Sequence, residues 1–155
     1  RPSSRGTIRL AHADPMASPK IMCNYLSTEA DLQTAVAGLR WTRRIMQSQA
    51  LASYRPTEIL PGPTLQTEAE LVNAARDLGT TIFHPVATCA MGQVDRHGQA
   101  ADPKTVLDTD CRLRGIARLR VVDASAMPTI TSGNTNAPVM LIAEQIARRM
   151  LAEKA

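Results

Sequence analysis

The sequence predicts an α+β fold, on three observations. Two strand-like segments near the N-terminus are separated by a proline-containing loop, which suits an antiparallel pair. Three longer stretches carry apolar residues at helical spacing. Strands and helices then mix without the regular strand–helix–strand alternation of a parallel sheet. With 155 residues, 44% of them apolar and 21% charged, the chain has the size and makeup of a globular domain able to bury a core.

Taken in order, Thr7-Ile8-Arg9-Leu10-Ala11 alternates like a half-buried strand, and Ile21-Met22-Cys23-Asn24-Tyr25-Leu26 supplies a second. Asp14-Pro15 and Ser18-Pro19 mark the loop between them, because each proline fixes φ and disfavours a helical predecessor. Ser27-Thr28-Glu29-Ala30-Asp31 then opens a helix, with a hydroxyl to accept from free N–H groups and acids in the first turn. Its apolar stripe runs through Leu32, Ala35, Val36, Leu39, Met46 and Ala50. Only Arg43 interrupts the stripe, and its alkyl stem can lie along a core edge.

Residues 55–63 carry three prolines and one glycine and read as an ordered loop. Thr67 and Glu70 form a capping box for a second helix, whose inner face is Leu71, Ala74, Ala75 and Leu78. Gly79 ends it, on the expectation that glycine takes a left-handed conformation there. Thr80–His84 reads as a strand, 93–104 as a polar loop, and Val106–Asp108 and Leu119–Asp123 as short strands. The last helix runs from about Asn136 to Ala152, with Val139, Ile142, Ala143, Ile146, Ala147 and Met150 on one side. Arg148, Arg149 and Lys154 lie near its C-terminal end, where cations complement the helix dipole.

Composition removes several classes of function. Aromatics make up 3%, and the arginines behind the +4 net charge are spread along the chain. Neither a stacking platform nor a basic stripe for nucleic acid is present. Cys23, Cys89 and Cys111 are an odd number, which points to reduced thiols and a cytoplasmic setting rather than a disulfide framework. No apolar run approaches the ~18 residues of a membrane span, so membrane association is not indicated. His84, Cys89 and His97 match none of the short paired-ligand spacings of structural zinc, so no metal is expected. Ser125 and Ser132 lack the glycine-flanked elbow of a hydrolase nucleophile.

Two stretches remain. His84 sits before Pro85, so its backbone is held extended. Its ring is either a hydrogen-bonded structural group or a general acid–base, the role imidazole most often fills in catalysis. Asn134-Thr135-Asn136-Ala137-Pro138 is either a helix cap or a helix N-terminus presenting free N–H groups to something anionic. Asp123 is either a turn residue or a hydroxyl acceptor for a cofactor.

His-Pro-Val-Ala-Thr-Cys-Ala-Met-Gly, then Leu-Arg-Val-Val-Asp-Ala-Ser-Ala-Met-Pro, then Ser-Gly-Asn-Thr-Asn-Ala-Pro resemble the C-terminal part of the glucose–methanol–choline (GMC) oxidoreductases. These are FAD-dependent alcohol dehydrogenases and oxidases. The likeness extends to Arg-Pro-Ser-Ser-Arg-Gly-Thr at the start and to Asn-Tyr-Leu-Ser-Thr-Glu, and its motifs are most similar to the choline dehydrogenase-like branch.

The resemblance implies that His84 takes the alcohol proton as hydride passes to the flavin, with Asn134 hydrogen-bonding the substrate oxygen. It implies that Phe83, Asp123, Ala124, Asn136 and Pro138 face FAD. Residues 1–92 would belong to an antiparallel substrate-binding domain, and 93–155 would complete the FAD-binding domain. The substrate would be a small-molecule alcohol. The main partner would be an N-terminal FAD-binding portion, because the G-x-G-x-x-G phosphate turn is absent from this sequence. Without it the chain alone is expected to bind no FAD and to be inactive. Ala87 stands where the family usually has glycine. The other reading is a binding or interaction module that keeps this fold without catalysis.

Overall fold

In the computed structural model, residues 1–153 are described; Lys154, expected near the end of the last helix, lies outside them. The chain divides by packing into two units, one covering Pro2–Thr81 and the other running from Ile82 onward together with Arg1.

In the first unit, β1 (Thr7–Arg9) pairs antiparallel with β2 (Lys20–Met22), Ile8 lying opposite Ile21. The pairing is as expected, but both strands are shorter. Asn24 and Leu26 have φ of +52° and +51°, so the chain leaves the extended region where the second strand was expected to continue. The Asn24 carboxamide holds that turn by donating to the Arg5 carbonyl at 2.9 Å.

Helix α1 (Glu29–Met46) starts at Thr28, whose hydroxyl accepts from the Asp31 N–H. Helix α2 (Glu68–Leu78) starts with the anticipated capping box: Thr67 accepts from the Glu70 N–H at 3.3 Å, and Glu70 accepts from the Thr67 N–H at 2.8 Å. The helices pack on each other and bury Leu32, Val36, Leu71 and Ala74. Gly79 does end α2, but not by a left-handed turn: its φ is −62°. What excludes a side chain is space, since a Cβ would stand 2.4 Å from the Ala75 carbonyl oxygen.

Polar anchors hold the rest of this unit. Asp31, only 9% exposed, accepts from the N–H groups of Ser3 at 2.8 Å and Ser4 at 2.7 Å. Hydrogen bonds from Ser4 and Ser3 hold its carboxyl well below the usual carboxylate range. Arg43 does more than lay its stem along a core edge. Its guanidinium meets both Glu58 oxygens at 2.9 and 2.8 Å and donates to the carbonyls of Leu65 and Gly62. The proline-rich loop is thus tied to α1 by one planar fork.

The second unit has little regular structure before α3 (Asn136–Ala152), which matches its expected bounds. Two expectations fail here. Thr80–His84 is not a strand, because Phe83 turns left-handed with φ +61°. The segments around Leu107 and Arg120 form isolated single bridges rather than strands, among them Met91 with Leu107 and Arg112 with Arg120. Asp108 explains part of this, since its carboxylate accepts from the N–H groups of Asp110 and Arg112 and folds the chain into a turn. The core is Leu107, Cys111, Ala126 and Ile146, with Met91, Val121 and Ile142 packed against it. Burial, with Asp108 and Asp110 nearby, pushes the Cys111 thiol up, so it stays protonated. At the far end of α3, Glu153 pairs with Arg112 and Arg120, and Arg149 with Asp110.

Candidate active site

The site residues inferred from the sequence all fall in the second unit. The segment Cys89–Gly92 is sandwiched by backbone hydrogen bonds. On one side Cys89 donates to the Ser125 carbonyl at 3.0 Å and Met91 to that of Ala126 at 2.9 Å. On the other, the Ala90 carbonyl accepts from Val106 at 2.9 Å, and Gly92 donates to Leu107 at 3.0 Å. The tail of the histidine motif therefore lies directly against the Asp123–Met127 segment some forty residues away. Gly92 is required by this closeness, because a Cβ there would stand 2.5 Å from the Thr105 hydroxyl oxygen.

His84 is half-buried, between left-handed Phe83 and Pro85. Among the described residues its imidazole takes part in no hydrogen bond, and no buried side-chain nitrogen or oxygen is left unpaired. Its ring nitrogens are therefore accessible and unspent on the fold. Phe83 is 82% exposed.

Asp123 caps a short 3₁₀ turn, Ala124–Ala126, accepting from the Ser125 N–H at 2.8 Å and from the Ser125 hydroxyl. Ser125 is thereby explained as the cap's partner, a role the sequence did not single out. The carboxylate of Asp123 is still exposed. Ala124, half-buried, lies in the turn itself.

Asn134 and Asn136 flank the start of α3, both exposed. The cap residue is Thr135, buried to 7% exposure and making no side-chain hydrogen bond to the helix end. The first helical bond runs from Val139 to the Thr135 carbonyl at 3.1 Å. The N–H groups of Asn136 and Ala137 have no acceptor within the helix, and Pro138 has no N–H to satisfy. This end is electropositive and its asparagines are not used to cap it. No hydrogen bond joins His84 to Asn134 among the described residues.

No group of His, Cys, Asp and Glu among the described residues is arranged to hold a metal ion, and His97 instead accepts from Arg96 at 3.0 Å. No helix among them is long and apolar enough to cross a membrane.

A half-buried imidazole without a hydrogen bond among the described residues thus lies in the same unit as a helix end flanked by asparagines. The GMC oxidoreductase family model matches residues 2–143, and the chain belongs to that family. Among its relatives, it is 42% identical over 97% of its length to the oxygen-dependent choline dehydrogenase of Vibrio vulnificus (strain YJ016). It is 43% identical over 94% of its length to the alcohol dehydrogenase [acceptor] of Pseudomonas putida. It covers only 26% and 25% of those two proteins, so the chain spans about a quarter of the length of the curated relatives it matches.

Among solved structures, pyridoxine 4-oxidase from Mesorbium loti superposes with a TM-score of 0.81 at 36% identity, over 96% of this chain and 27% of that one. An FAD-dependent oxidoreductase from Chaetomium thermophilum superposes with a TM-score of 0.85 at 27% identity, over 99% and 25%.

Proposed function

We propose that the chain is the C-terminal segment of an FAD-dependent, choline dehydrogenase-like enzyme that oxidises a small primary alcohol, with His84 as the base. The observation that carries this reading is the imidazole of His84, half-buried and without a hydrogen bond among the described residues, in a chain of this family. The residues fit a flavin: the uncapped start of α3 offers N–H groups and partial positive charge to an electron-rich ring edge. Bound FAD would supply the hydride acceptor.

The chain's own residues do the rest. His84 accepts the hydroxyl proton at a ring nitrogen, which lets negative charge build on the substrate oxygen as hydride departs. Asn134 hydrogen-bonds that oxygen and holds it in register. Asn136 and the turn to Pro138, with Phe83, Asp123 and Ala124, would face the cofactor when it is bound. The pre-oriented N–H donors at the helix end would stabilise negative charge on a group bound there without having to reorganise. Residues 1–92 belong to the substrate-binding part and 93–155 complete the cofactor domain. The dinucleotide is gripped chiefly by polypeptide outside this chain, so the 155-residue chain alone binds no FAD; a flavin absorbance spectrum in the purified chain would contradict that.

In the full-length flavoprotein, His84→Ala is expected to slow flavin reduction by alcohol by roughly 10²–10⁴-fold while FAD content is retained. Near-normal reduction in that variant would remove His84 from the reaction.

A further inference from the structure

Ala87 adopts a backbone conformation that alanine seldom takes, with φ of +70°. In this region the Cβ crowds a neighbouring carbonyl, and glycine is the usual occupant. The residue lies between two fixed points. Downstream, the N–H groups of Cys89 and Met91 are held on the carbonyls of Ser125 and Ala126 at 3.0 and 2.9 Å. Upstream, the Pro85 ring locks its own φ, and His84 is kept extended by preceding a proline. Among the described residues between His84 and Cys89, Ala87 alone has a positive φ.

That makes Ala87 the bend in a lever. Two residues, Pro85 and Val86, separate it from His84, a span of three steps and up to about 10 Å of chain at extended spacing. Carrying Ala87 from the left-handed to the extended region turns its φ through more than a right angle. With Cys89 held in place, the imidazole would then move by ångströms. A misplacement of 1 Å at a reacting group can cost about a hundredfold in rate. Alanine also confines the turn to the narrow left-handed well open to L-residues, whereas glycine ranges more widely.

We propose that Ala87 is a positioning residue whose left-handed turn, set against the anchored Cys89, fixes where the His84 imidazole is presented. This rests on the reading of His84 as the base. Backbone conformation, not side-chain contact, is the property at work, so variants should sort by tolerance of positive φ. Glycine and asparagine accept it, while a β-branched residue does not.

The test compares Ala87→Gly, Ala87→Asn and Ala87→Val with two readouts. The first is the ¹H and ¹⁵N resonances of the His84 ring in the 155-residue chain. The second is kcat and KM, with FAD content, in the full-length flavoprotein. Glycine and asparagine should leave the imidazole resonances in place and kcat within about threefold. Valine should move the resonances and lower kcat by about tenfold to a hundredfold, with KM within about twofold. Unmoved resonances in the valine variant, or an asparagine variant as impaired as valine, would overturn the proposal. Were the valine variant unfolded, the asparagine variant decides alone. Normal turnover in His84→Ala would sink the base reading, yet the ring resonances would still report whether Ala87 places it.

Discussion

The two units of this chain reach order by different means. The first, Pro2–Thr81, buries a small apolar seam between two regular helices and fastens its loops with charged anchors, Asp31 on the N-terminal backbone and Arg43 on the proline-rich loop. The second, from Ile82 onward, is nearly all turns and single bridges before α3. It closes around Leu107 and Cys111, both at 0% exposure. The contrast teaches that in the first unit helical hydrogen bonds carry the backbone and side chains secure the loops. In the second, main-chain bonds between distant loops are themselves the scaffold on which His84 and the start of α3 are set.

The sharpest way to break that comparison is to empty each core. Leu107→Ala and Leu71→Ala both remove a fully buried side chain, a change that costs about 2–5 kcal/mol depending on how far the site can collapse. Leu107 is held in a web of loop hydrogen bonds that resists collapse, so its loss should fall at the upper end. Leu71 lies between helices free to shift together, so its loss should fall lower. Denaturant titration of both variants measures the difference, and equal values would erase the distinction.

A smaller effect tests the close approach of loops. Gly92→Ala would press a methyl group to 2.5 Å from the Thr105 hydroxyl oxygen, for an expected loss of about 1–3 kcal/mol. Adding Thr105→Ala should recover part of it, as read from the thermal midpoints of the single and double variants.

Least in size and dependent on pH is the anchor in the first unit. The Asp31 carboxyl is held below its ordinary range when folded, so its contribution is full above the unfolded value of roughly 3.9. It is lost as pH falls through the lower folded value. Asp31→Asn should therefore be less stable than the parent chain at neutral pH, with the gap narrowing below about pH 4. A gap that stayed constant on acidification would assign Asp31 a role other than charge.

How much of this was legible beforehand follows the same division. The helices were readable because Thr28, Thr67 and Glu70 signal their starts locally and the apolar spacing marks their faces. The β1–β2 pair was readable from two strand-like segments on either side of a proline-containing loop. The second unit defeated periodicity, since Phe83, Ala87 and Cys111 adopt positive φ without being glycine, a choice only tertiary contacts can impose. The β-branched run before His84 thus read as a strand and is none. The candidate site was readable as motifs, and Asn134, Asn136 and Pro138 do flank or open α3. That Asp123 is also spent on capping Ser125, and that Ala87 bends the chain behind His84, required coordinates.

Asp31 grips Ser3 and Ser4 by their amide hydrogens, which every residue but one possesses. Random mutagenesis of position 3 should accordingly show proline as the worst occupant, because an imino acid removes the N–H that the carboxylate holds, while residues lacking a hydroxyl lose only the weaker side-chain bonds to Thr28 and Asp31. At that point the segment is held first by its main chain, with the Ser3 hydroxyl adding bonds to Thr28 Oγ1 at 2.7 Å and Asp31 Oδ1 at 3.1 Å.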